Sequence, residues 1–288
     1  MNLQQTTFDP DSYKTTTLQQ WNAAAGAWHR WGPLLSRWLG PATEIMLDMA
    51  EITKGSRVLD VAAGAGEQSL AAARRVGEQG EVLATDLSPT ILEYAQRSAK
   101  LAGLDNISTC CIDGEHLEEL EESSFDAVIS RVGLIYFPDQ QKALEGMRNS
   151  LRKDGKVAAM VYSSADRNGF FSVPVSIIRQ RANLPPPLPG QPGPFSLGDE
   201  KVLKQAFTEA GFKNVQIERV EAPIRLDSAS ECLQFEQESF GALHQMLSGL
   251  DDAQKDEVWE EIQEALEQYE TQGEFEGPCE MLIAVGSR

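Results

Sequence analysis

Between residues 57 and 220 short apolar runs alternate with segments of helical spacing. RVLDVA (57–62), EVLATD (81–86), ISTCCI (107–112), FDAVIS (125–130) and KVAAMVYS (156–163) are nearly continuous in apolar residues, as strands buried on both faces require. Residues 67–77, 88–102 and 139–151 lie between them and predict helices. Ser88-Pro89 supplies an N-cap and a first-turn proline, and Leu92, Ala95, Ala99 and Ala102 keep one face of the helix that follows. Strand and helix in alternation predict an α/β fold, a doubly wound, mostly parallel, Rossmann-like sheet with helices on both faces.

Two regions stand outside this rhythm. Residues 15–50 have helical spacing and carry Trp21, Trp28, Trp31 and Trp38. LPPPLPGQPGP (184–194) is too rich in proline for a helix or a central strand. A helix over about 199–210, the terminator Gly211 and a strand over about 214–220 come next. Residues 228–270 again read as helix, with Val258, Ile262, Ala265, Leu266 and Tyr269 forming an apolar stripe, and MLIAVGS (281–287) closes the chain as a strand. The expected division is a helical N-terminal cap over 1–50, a core over 51–227 and 278–288, and a helical insertion over 228–277.

Length and composition narrow the function. The chain has 288 residues and a net charge of −19, with 41% hydrophobic and 24% charged residues, the profile of an ordinary globular protein. Such an acidic surface disfavours nucleic acid and anionic lipid as partners. Residues 251–280 carry 12 of the acids against Lys255 alone, so the excess is concentrated late in the chain. No apolar run approaches the roughly 18–20 residues of a membrane span, and the N-terminus, with neither a basic nor an apolar stretch, does not read as a signal peptide. Cys110, Cys111, Cys232 and Cys279 show no C-x-x-C spacing, so neither a metal site nor a disulfide framework is expected, and the expected compartment is the cytoplasm.

The chemistry is concentrated in VLDVAAGAGEQS (58–69). A strand ends near Asp60, a turn built on Gly64 and Gly66 follows, and a helix then starts with free N–H groups facing a ligand. Asp86 ends the next strand 22 residues after Gly64, the spacing at which an acid accepts both hydroxyls of an adenosine ribose. Asp113-Gly114-Glu115 ends the third strand, where an acid can take the adenine amino group. All three features fall at the carboxyl edge of a parallel sheet, where such folds bind ligands. An acid beside the glycine turn would repel a pyrophosphate, and Ser69 occupies the place of the third dinucleotide glycine. Both facts favour a cationic adenosine ligand, and S-adenosylmethionine fits.

These residues resemble the class I S-adenosylmethionine-dependent methyltransferases, in the branch of the ubiquinone/menaquinone biosynthesis-type enzymes. VLDVAAGAG, ATDLSPTIL, CIDGEHL and FDAVISRVGLIYFPD match successive motifs, LRKDGKVAAMVYS, PGPFSL and FTEAGF continue the likeness, and it covers roughly residues 20–288. The resemblance implies a seven-stranded sheet ordered 3-2-1-4-5-7-6 with the last strand antiparallel. It places Asp60, Ala62, Gly64 and Gly66 at the methionine end of the cofactor, Asp86 on the ribose, Leu87 on the adenine, and Asp113, Gly114 and Glu115 along the base. Arg131 would stand near the methyl-transfer centre and would need an anionic neighbour there. Ala62 replaces a glycine common in the family, and a slight tightening of the loop is expected.

Methyl transfer from an activated sulfonium needs alignment more than acid–base chemistry. His29, in the tryptophan-rich helix, and Tyr162, at the end of the fifth strand, are the candidates to touch substrate; His116 and His244 read as surface or structural. Trp21, Trp28 and Trp31 either line an aromatic pocket or pack a helix on the sheet, and segment 184–194 is either a rigid connector or, as its place directly after the fifth strand favours, a lid beside the pocket. The expected function is transfer of a methyl group to oxygen, carbon or nitrogen of a small molecule. Two alternatives are a protein that uses the cofactor structurally, as a cyclase would, and an NAD-dependent dehydrogenase.

Overall fold

A computed structural model describes residues 8–120, 123–188 and 190–288. The chain begins with α1 (Pro10–Arg30) and α2 (Gly32–Met49). The sequence pattern predicts one helix here, and it is broken at Trp31, because Pro33 in the first turn of α2 has no N–H to continue the ladder. Next come β1 (Arg57–Val61), α3 (Glu67–Val76), β2 (Glu81–Asp86), α4 (Pro89–Leu101), β3 (Ile107–Cys111), β4 (Phe125–Arg131), α5 (Gln140–Ser150) and β5 (Leu151–Tyr162). Ser88 caps α4 as its sequence suggests, accepting from the Ile91 N–H. β5 starts five residues before its expected apolar run, after an irregular pairing with β4.

Past β5 the chain forms α6 (Gly169–Arg181), α7 (Glu200–Glu209), β6 (Lys213–Glu221), β7 (Ile224–Leu226), α8 (Ala229–Ser239), α9 (Gly241–Met246), α10 (Asp252–Leu266), β8 (Glu270–Thr271), β9 (Glu274–Gly277) and β10 (Glu280–Ser287). The sequence pattern does not mark α6, because Pro174 sits inside it among Val173, Val175, Ile177 and Ile178, residues of modest helix propensity. The stretch that reads as continuous helix over 228–270 is three helices, and a small sheet ordered β7-β9-β8 lies beside them.

The main sheet has seven strands in the order β3-β2-β1-β4-β5-β10-β6. β10 runs antiparallel to both β5 and β6, while the ladders from β3 to β5 are parallel. This is the expected doubly wound α/β arrangement with a reversed final strand. Val58, Leu59, Val128, Ile129, Val157, Ala159 and Ile283 are all sealed from solvent, which accounts for their unbroken apolar runs.

The caps are joined to this core by specific contacts. Trp38 is buried, and its Nε1–H donates to the Ala222 carbonyl at 2.7 Å. Trp28 donates to the Ser239 carbonyl, which ties α1 to α8. Val258, Ile262 and Leu266 of α10 are buried as their spacing requires, while Arg181 of α6 pairs with Glu257 and Glu261 on the acidic side of that helix. No helix among the described residues is long and apolar enough to cross a membrane. Cys110, Cys111, Cys232 and Cys279 are all free thiols.

Candidate active site

The carboxyl ends of β1, β2 and β4 open into a cleft roofed by α1. Its lining includes Ala62, Gly64, Asp86, Leu87, Asp113, Gly114, Arg131 and Tyr162 from the expected set, together with Lys14, Trp21, Trp28, Glu67 and Tyr136. Asp86 reaches back to the loop: its Oδ2 accepts from the Gly64 N–H at 3.0 Å and its Oδ1 from the Ser88 N–H at 2.9 Å. Burial raises the Asp86 pKa, and these backbone donors counter the rise. An ionised carboxylate has about four acceptor sites, and the backbone N–H groups of Gly64, Ser88 and Leu87 leave part of that capacity open to the cleft. Leu87, Ile91 and Ile112 provide apolar surface beside it for a flat base.

Four of the expected positions stand behind the cleft wall. Asp60 is fully buried and accepts from Ser69 Oγ and Gln68 Nε2, so it braces the loop from within. Burial pushes its pKa up to about 7. Gly66 starts α3 with φ 93° and lies against α4, where a Cβ would stand 2.9 Å from the Ala95 Cβ; glycine is needed there for close helix packing. Glu115 is buried, its Oε1 accepting from the Asp139 N–H and its Oε2 from Lys14. His29 stacks on Tyr94 with ring centroids 4.9 Å apart and lies near Ser98, and it lines neither the cleft nor the chamber beside it.

At the β3 edge of the cleft, Lys14 of α1 bridges Asp113 at 2.6 Å and Glu115 at 2.8 Å. The Asp113 Oδ1 also accepts from the Glu115 N–H. The acid assigned to the adenine amino group therefore also holds the helix that roofs the site.

At the opposite end, Glu67 is the carboxylate that faces the cleft, a role the motif spacing gives to Asp60. The available signal is its place directly after Gly66, at the start of the helix. Arg131 is its cationic neighbour: Nη2 lies 3.7 Å from Glu67 Oε2, and Nη1 donates to Thr43 Oγ1 at 3.2 Å. Burial lowers the guanidinium pKa, and Glu67 and Asp60 oppose that shift.

Ala62 adopts φ 59°, the left-handed region, which costs a residue with a Cβ roughly 1–2 kcal/mol. Its methyl abuts Gly133, and a Cβ added to that glycine would collide with it. Gly133→Ala is expected to destabilise the protein by about 1–3 kcal/mol through overpacking. In an Ala62→Gly background the same change should cost at least ~1 kcal/mol less. Denaturant melts of the four proteins check this, and strictly additive effects would show that the two loops do not meet there.

The aromatic residues sort clearly. Trp21 stands edge-on to Tyr136 at 5.5 Å and packs on Trp28 at 5.6 Å, forming a wall of the cleft. Trp31 is turned away, donating to Glu238 and packing on Phe235. Tyr162 is buried against Phe170 and Phe171. Burial pushes the phenols of Tyr162 and Tyr136 well up, so both remain protonated donors at neutral pH. Among the described residues no cluster of His, Cys, Asp or Glu is arranged to hold a metal ion.

A family model described as a methyltransferase domain matches residues 52–177. The chain is 32% identical over 147 residues to aklanonic acid methyltransferase DauC of Streptomyces sp., covering 51% of this chain and 65% of that protein. It is 30% identical over 185 residues to demethylmenaquinone methyltransferase of Staphylococcus aureus, covering 60% of this chain and 74% of the relative. The chain thus spans slightly under two thirds of the Streptomyces enzyme's length. A phosphoethanolamine N-methyltransferase 2 of Haemonchus contortus, solved with phosphomonomethylethanolamine and S-adenosylhomocysteine, shares the fold: TM-score 0.60 at 16% identity, over 96% of this chain and 60% of that one. The chain belongs to the S-adenosylmethionine-dependent methyltransferase family.

Proposed function

We propose that this protein binds S-adenosylmethionine in the loop cleft and transfers its methyl group to oxygen, carbon or nitrogen of a small-molecule acceptor. The observation that carries the reading is a second, largely apolar chamber of about 490 Å³ that meets the cleft at Thr17, Trp21, Tyr136 and Phe240. Its size is that of a site for a drug-sized ligand, roughly 300–1,000 Å³. The chamber is built from α1, α6, α9 and the proline-rich segment, with Pro192, Gly193 and Pro194 forming part of its wall. The Gly193 N–H donates to the Ile135 carbonyl at 2.9 Å, which fixes that segment against the core.

The cofactor supplies a methyl group on a positively charged sulfur, activated for in-line attack. The protein's own contribution is to hold the partners in line and keep water out. Asp86, with acceptor capacity left open to the cleft, fits the ribose. Glu67 and Arg131 form the polar end of the cleft, suited to an amino acid's ammonium and carboxylate. Trp21, Tyr136 and Phe240 stand where the two spaces meet and would align the acceptor. Tyr162, as a protonated phenol, can donate to an oxygen on either reactant.

Two measurements test the reading. S-adenosylhomocysteine is expected to raise the melting temperature, by about 2.7 kcal/mol of added stability at a hundred times its Kd, and NAD to leave it unchanged. Labelled methyl should then pass from the cofactor to members of a panel of phenols, quinols and amines. Stabilisation by NAD alone would point to a dehydrogenase. Substrate turnover with the cofactor recovered intact would point to a structural use of the cofactor.

A further inference from the structure

The chamber beside the cofactor cleft is lined by aromatic, aliphatic, proline and small or amide side chains, and among the described residues its one charged lining residue is Arg179. Among the described residues no aspartate or glutamate lines it, in a chain whose net charge is −19. Arg179 lies near the C-terminal end of α6, half-buried, and among the described residues it forms no ion pair. Its Nη1 donates to the Pro185 carbonyl, at the start of the proline-rich segment. A guanidinium has five N–H donors in a planar fork, so this one bond leaves donors free for a ligand.

We infer that Arg179 is an anion anchor, and that the acceptors this protein takes are flat aromatic acids whose carboxylate is held by Arg179 while another part of the molecule meets the cofactor. The inference rests on reading the chamber as the acceptor site and narrows the acceptor's class. Phe171, Phe195 and Tyr13 offer ring faces and edges within the chamber, which favour planar aromatic ligands. The guanidinium fork matches a carboxylate in geometry, which a neutral group of similar shape cannot use. The protein's overall field repels anions, so a cation with no acid beside it is what allows an anionic ligand to enter. Arg179 touches only the chamber, whereas Trp21, Tyr136 and Phe240 border both spaces. The anchor therefore stands apart from the methyl-transfer boundary, and a ligand gripped there presents its far portion to the cofactor.

Calorimetric titration of the full chain with 2-naphthoate and anthraquinone-2-carboxylate, each compared with its primary amide, tests the anchor without requiring turnover. The wild-type protein should bind each acid at least tenfold more tightly than its amide. Arg179→Gln should reduce that preference to within twofold, and Arg179→Lys should keep part of it through its charge. S-adenosylhomocysteine affinity should be the same in all three proteins. Equal affinity for acid and amide, a preference that survives in Arg179→Gln, or no binding of any of the four compounds by the wild type would overturn the anchor. If Arg179→Gln fails to fold, the wild-type acid-to-amide ratio and Arg179→Lys decide the matter. A wild type that prefers acids yet does not bind S-adenosylhomocysteine supports the anchor and overturns the methyltransferase reading. One that binds S-adenosylhomocysteine without preferring acids does the reverse.

Discussion

Asp86→Ala is expected to weaken S-adenosylhomocysteine binding by roughly 100-fold or more. Two hydrogen bonds from ribose hydroxyls to a charged acceptor are worth about 1.5–3 kcal/mol each, and each 1.4 kcal/mol is about tenfold in Kd. Asp86 also accepts from the Gly64 and Ser88 N–H groups, so the variant loses loop order along with ribose contacts. Apo-protein melts separate the two effects. Asp86→Asn keeps an oxygen for one backbone donor, so it should recover much of the apo stability and little of the affinity. Calorimetry with S-adenosylhomocysteine reads the binding, and an unchanged Kd in Asp86→Ala would mean that the ribose lies elsewhere.

Arg131→Met is expected to cost about 3–5 kcal/mol of stability at pH 8, the usual penalty for removing one member of a buried ion pair. The methionine fills similar space, but Glu67 and Asp60 are left without their cation. The loss should be smaller at pH 5, for a reason that follows from the signs. Burial already raises the Asp60 pKa to about 7 and raises that of Glu67, and Arg131 lowers both. Removing Arg131 moves both higher. A carboxyl with a raised folded pKa favours the native state below its unfolded pKa, and that advantage is lost as pH rises through the folded value. At pH 5 Asp60 of the variant is protonated and Glu67 is closer to its neutral form, so less charge is stranded; at pH 8 both must either ionise without a partner or hold protons against the solution. Urea melts of both proteins at the two pH values measure this. Equal losses at pH 5 and pH 8 would show that Arg131 acts by packing alone.

The core is legible in the sequence because its information is local. A strand buried on both faces must be apolar throughout, so β1, β2 and β4 are visible as short runs. Ser88 and Pro89 mark the start of α4 through contacts within one turn. Gly64 and Gly66 mark a turn, and Asp86 is found by counting from it. The caps are less legible. Pro174 hides α6, and the join at Trp31 depends on one proline in a long helical pattern. Residues 228–277 read as helix with no sign of the β8–β9 hairpin, whose Phe275 is buried and whose Glu274 and Glu276 are exposed. That alternation is only four residues long, too brief to separate from a helix end.

The sequence by itself determined the doubly wound sheet, the loop after β1 and the acids that end β2 and β3, because turn chemistry and side-chain period are properties of neighbouring residues. Only the tertiary structure decided which of those groups face the ligand. Asp60, in β1, and Glu67, at the start of α3, are seven positions apart, yet one is sealed behind the wall and the other opens to the cleft. Lys14 meets Asp113 across 99 positions of chain, and Arg179 shares its chamber with residues of α1, α9 and the proline-rich segment. Contacts of that kind arise when distant surfaces are packed together, and they leave no pattern in any local stretch of sequence.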